Sequence, residues 1–186
     1  MRKTFHGGRL AWAVVAALLV AGALARADSW FSPAEVKETP YVFGETKVVL
    51  HYDGLKRRNF PEYTLKVYRG EKLLGEHEGV GFTEVFADKE NRYFLGVSNE
   101  GLVGTAWVVF DRDGKIIRQK KYADASPPLK YCQRSITVVR QWYDEKQPEV
   151  EFKVEAGNLK EVSVRSCEGK RIALPLVVKA GATPAK

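Results

Sequence analysis

The side chains able to do chemistry are few. Of three histidines, His6 lies in an N-terminal segment treated below, which leaves His51 and His77. A three-histidine zinc site is then beyond one chain. A site of two histidines and a carboxylate would need His51 and His77 to converge with Asp53, Glu76 or Glu78, and no i,i+4 helical spacing brings them together. Gly96-Val97-Ser98-Asn99-Glu100-Gly101 begins like a nucleophile elbow, but Glu100 stands where that motif requires glycine. Asp111-Arg112-Asp113-Gly114 starts like a calcium loop and lacks its third acidic position and closing glutamate. Phosphate-loop and dinucleotide-binding glycine motifs are absent. The expectation is therefore no catalytic residue, no cofactor and no metal. A hydrolase built on carboxylates or on His51 and His77 is the alternative.

Cys132 and Cys167 are the only cysteines. They are 35 positions apart without C-x-x-C spacing, so a structural disulfide is expected in an oxidising compartment. Two aromatic pairs remain, Trp30-Phe31 and Trp142-Tyr143. Neighbours on a strand point to opposite faces, so one member of each pair is a candidate for a binding surface.

The elements that would position these residues are strands. Tyr63, Leu65 and Val67 alternate with polar residues, and Gly70-Glu71 after them predicts a type II′ hairpin that sets Val67 opposite Leu74. Ala106 to Phe110 is apolar throughout, the pattern of a strand covered on both faces. Asp111 to Gly114 then turns the chain. Val150, Phe152 and Val154 alternate with acids and lysine. A three-residue loop 156–158, with Asn158 left-handed, would pair Phe152 with Val162 and Val150 with Val164. Further strands are expected over 47–52, 81–86, 92–97, 135–142 and 171–174, and one short N-capped helical turn over 32–38.

The fold class is all-β, an antiparallel sandwich or barrel of about eight to ten strands. A weak echo supports an alternative. Glycine, lysine and aliphatic residues recur after turns at Gly70, Gly114 and Gly169, at spacings of 44 and 55 residues, near the period of propeller blades. A small propeller-like arrangement is thus the second reading.

The first 27 residues carry Arg2, Lys3 and Arg9 before an apolar stretch, Leu10 to Leu24, that ends in Ala25-Arg26-Ala27. These are the parts of a secretory signal peptide with cleavage before Asp28. The stretch is shorter than the roughly 20 apolar residues of a membrane span. The expected organisation is a signal peptide at 1–27, one all-β domain at 28–178 with a Pro-rich crossover at 123–129, and a flexible tail at 179–186. The whole chain has 30 basic and 23 acidic residues, a net charge of +7. The signal holds four basic residues and no acidic one, so 159 residues with a net charge of +3 remain. No concentrated basic stripe is left for nucleic acid. Taken together these features imply a periplasmic or secreted, non-catalytic domain that binds an envelope protein or a glycan, with no membrane span after cleavage. A structural envelope subunit is a further alternative.

Overall fold

Alternating apolar and polar residues become strands along most of the chain. The computed structural model describes residues 34–56, 62–124, 129–135 and 139–176, all within the contact unit Ser32–Lys186. The 1–27 segment, Trp30, Phe31 and the 179–186 tail lie outside the described residues.

The first sheet is a meander of β1 (Val36–Phe43), β2 (Thr46–Asp53), β3 (Glu62–Arg69) and β4 (Lys72–Glu78), in that order. The second repeats the plan with β5 (Glu84–Ala87), β6 (Tyr93–Val97), β7 (Thr105–Asp111) and β8 (Ile116–Lys121). A two-residue pair, β9 (Gln133–Arg134) with β10 (Arg140–Gln141), precedes the third sheet of β11 (Val150–Glu155), β12 (Asn158–Arg165) and β13 (Arg171–Ala173). All pairings are antiparallel.

The apolar run of β7 explains the layering. Val108 and Phe110 join Phe94 of β6 against Val48, Leu50, Leu65 and Val67 of the first sheet. Trp107 and Val109, from the other face, join Leu95 and Val97 against Val162, Val164 and Leu174 of the third sheet and its border. The second sheet is thus a buried middle layer, as its two-sided hydrophobicity requires. Each such side chain, fully buried, contributes on the order of 1.5–3 kcal/mol. The architecture is a layered, sandwich-like all-β fold.

The Gly-Lys echo has a structural counterpart. Gly70, Gly114 and Gly169 each have positive φ, and each turn leads into the last strand of a sheet: β4, β8 and β13. Propellers typically begin at about four four-stranded sheets; among the described residues there are two sheets of four strands and one of three.

Several expectations are corrected. The helical turn over 32–38 is replaced, from Val36 onward, by β1, which pairs with β2 along its length. Pro40 hid this strand, yet β1 is a sheet edge, where a missing N–H is tolerated. Val67 faces Gly75 rather than Leu74, because a bulge at Leu74 follows the two-residue turn. The third hairpin turns through Ala156 and Gly157, at φ +49° and +79°, while Asn158 pairs with Glu155. A bulge at Lys160 absorbs the extra residue, so Phe152 still faces Val162 and Val150 faces Val164. Strand β5 starts only at Glu84; Val80 and Phe82 before it are buried in a connecting segment. The span 135–142 is strand only at Arg140–Gln141 among the described residues. Thirteen strands are found among the described residues, more than the eight to ten expected.

Candidate functional site

Cys132 and Cys167 form the disulfide, with Cα atoms 6.0 Å apart. It closes one end of a cross-brace. The Cys132 N–H donates to Gln141 O and the Cys167 N–H to Trp142 O, both at 2.9 Å. On its other side the same segment meets the end of β6. Asn99 Oδ1 accepts from Trp142 N at 3.0 Å and from Tyr143 N at 3.4 Å, while Asn99 Nδ2 donates to Tyr143 O at 3.3 Å. The Trp142 indole N–H donates to Ser98 O at 2.8 Å, and the Tyr122 hydroxyl donates to the same carbonyl. Residues 140–143 therefore stitch the second sheet to the third.

This overturns the binding-surface expectation at Trp142 and Tyr143. Their exposures are 1% and 0%, because sheets cover both faces of the brace. The other pair, Trp30 and Phe31, lies outside the described residues. Ser98 and Asn99, in the elbow-like motif, are buried structural groups.

The two histidines point to opposite faces of the first sheet. His51 pairs with Thr64 on the outer face, beside Glu38, with Nδ1 at 3.3 Å from Oε1. His77 pairs with Leu65, whose side chain faces the core, and its Nε2 donates to Gly114 O at 2.6 Å. They cannot share a metal or a substrate. Asp111 Oδ1 accepts from the N–H groups of Asp113 and Lys115 at 3.0 and 2.9 Å, and Asp113 bonds Arg69 at 2.7 Å. Asp111 is thus committed to the hairpin, and Asp113 to Arg69 of β3. Among the described residues no three metal-ligating side chains gather. One acidic neighbourhood stands out at the end of β6. Burial and the Glu145 charge hold the Glu84 and Glu100 carboxyls above the usual range.

Among the described residues the outer face of the first sheet is one surface that carries exposed apolar side chains. Registers place its side chains in rows. Glu38, His51, Thr64 and Glu78 form one row; Pro40, Val49, Lys66 and Glu76 form the next. Lys66 Nζ lies 3.7 Å from Glu38 and 3.9 Å from Glu76, linking the two rows. The third row is Val42, Lys47, Tyr68 and Leu73. Here Val42 is 70% and Leu73 43% exposed, and Lys47 Nζ sits 5.0 Å from the centre of the Tyr68 ring. Beside this row a shallow depression of about 540 Å³ is lined by Val42, Lys47, Arg69 and the glycine turns at Gly44 and Gly70.

Part of this face was legible. Inward Tyr63, Leu65 and Val67 imply an outward Tyr68. Val42 was missed because β1 was not recognised. Leu73 follows from the two-residue turn, which sets it opposite Tyr68; the bulge at Leu74 changes only the pairing from Gly75 on. No protein-family model, curated protein or solved structure matches the chain.

Proposed function

We propose that the chain is an exported, non-catalytic binding domain of the periplasm or cell exterior that docks an envelope protein on the outer face of β1–β4. The observation that carries this reading is the row Val42–Lys47–Tyr68–Leu73, in which two large apolar side chains, Val42 and Leu73, stay exposed on the outer face of the first sheet. Large apolar groups exposed together, rimmed by charge, mark interaction sites. The adjoining ion-paired rows supply a polar rim. Lys47 already occupies one face of the Tyr68 ring, which disfavours sugar stacking and makes a protein the better partner than a glycan. Pro40 interrupts the free edge of β1, so docking on the face is favoured over strand addition. The Cys132–Cys167 disulfide supports the oxidising compartment, and no helix among the described residues is long and apolar enough to cross a membrane.

The test is capture from a bacterial envelope extract by the oxidised protein, with Val42→Asp and Leu73→Asp against a Leu55→Asp control. Leu55 is 64% exposed and lies outside the rows, and surface changes of this kind shift stability by only about 0.5 kcal/mol. A partner held by the parent and the control but lost at least tenfold by both face variants is the expected result. Equal capture by all four proteins, or by none, refutes the proposal. The export part fails if the expressed protein stays in the cytosolic fraction with residues 1–27 attached.

A further inference from the structure

Lys120 is a buried cation on an edge strand. It lies at the end of β8 and pairs with Trp107, and only 4% of it is exposed. Its Nζ donates to Asp124 O at 2.7 Å. That is its one hydrogen bond among the described residues, whereas an ammonium carries three donors. Burial draws its pKa down, with Asp124 opposing the effect and Arg118 adding to it.

The residue lines a cleft of about 270 Å³ whose other walls include Trp107, Leu129, Ile172, Leu174 and Pro175. Lys130, at the rim, has its charge paired with Glu168. A smaller cavity of about 100 Å³ shares Leu129 and Ile172 and continues toward the disulfide. Apolar walls around a few convergent polar groups are the usual make-up of a small-molecule site. An under-bonded ammonium in such walls selects negative charge, because a carboxylate supplies the acceptors that a neutral ligand lacks. A cleft of this volume has room for a short-chain ligand.

We propose that the cleft between β8 and β13 binds a small apolar monocarboxylate, its carboxylate on Lys120 and its hydrocarbon along Trp107, Leu129, Ile172 and Leu174. The site is separate from the outer face of the first sheet, and its test does not depend on that reading. A competing role for Lys120 is to guard the β8 edge against strand pairing, as inward charges do. Guarding alone needs no ligand.

Hexanoate and its neutral counterpart hexan-1-ol serve as probes, titrated into the oxidised full chain and followed by methyl NMR. Hexanoate is expected to saturate with a Kd of about 1 mM, in keeping with its size, shifting the Leu129, Ile172 and Leu174 methyls. Hexan-1-ol is expected to bind at least tenfold more weakly. Lys120→Met should abolish the preference while Lys120→Arg retains it. Equal binding of the two probes, no saturation by tens of millimolar, or shifts confined to other methyls would overturn the proposal. The comparison of probes on the parent protein decides the matter even if neither variant folds.

Discussion

Asn99 is 4% exposed at the end of β6, and its amide stands in for a strand partner by bonding the backbone of Trp142 and Tyr143. Asn99→Ala would strand those buried groups, and unsatisfied donors and acceptors cost about 1–3 kcal/mol apiece. A loss of roughly 2–4 kcal/mol in urea unfolding is therefore expected. Trp142→Ala should cost about 3–5 kcal/mol, so it measures stability and not partner binding. Glu84 belongs to the opposite case. Its carboxyl is held above the usual range by burial first and by Glu145 second, so ionisation at neutral pH disfavours the folded state. Glu84→Gln should raise the melting temperature at pH 7 by about 1–3 °C. The gain should shrink as pH falls through the raised folded value toward the unfolded one near 4.3, where both states bind the proton. Thermal melts of both proteins from pH 4 to 8 check the sign. Of these residues Asn99 gave little away, since a polar residue between strands most often marks a turn.

At the scale of the element, hairpins show where periodicity stops carrying information. Alternation assigned Phe152 to Val162 and Val150 to Val164, because a slip would expose an apolar row. It was silent on whether the odd residue sits in the turn or in a bulge. The β11–β12 turn uses Ala156 at φ +49°, a conformation that costs an L-residue about 1–2 kcal/mol. Asn-Gly is the preferred pair for two positive φ values, so Ala156→Asn should stabilise by about 1 kcal/mol, read as a higher urea midpoint at unchanged slope. The contact between β4 and the β7–β8 turn gives the reverse prediction. A Cβ on Gly75 would lie 2.8 Å from Gly114 Cα and 2.9 Å from its carbonyl oxygen. Gly75→Ala should therefore cost about 1–3 kcal/mol by overpacking, with part of the loss appearing as a weaker His77–Gly114 hydrogen bond in the imidazole NMR signals.

For the whole molecule, the disulfide and the 140–143 brace hold the third sheet to the middle one. Opening a 35-residue loop by Cys132→Ser with Cys167→Ser should cost about 3–4 kcal/mol on the chain-entropy account. Reductant should have the same effect on the parent and none on the double variant, which calorimetry can compare. The three sheets also account for the Gly-Lys turns. A meander needs a tight reversal before its last strand, and glycine permits it each time.

What the amino-acid order determined by itself was local: an all-β chain, a middle strand apolar on both faces, the partners of the β11–β12 hairpin and the pairing of the only two cysteines. These follow from side-chain period, turn chemistry and cysteine count, which act within a few residues or admit one solution. The tertiary structure alone decided that Trp142 and Tyr143 are buried, that His51 and His77 face apart, that Val42 and Leu73 share an exposed row, and that Lys120 lines an apolar cleft. Each depends on which sheet lies over which face, and the exposed row also on β1, a strand that its proline conceals in the sequence. That information resides in contacts between residues far apart in the chain.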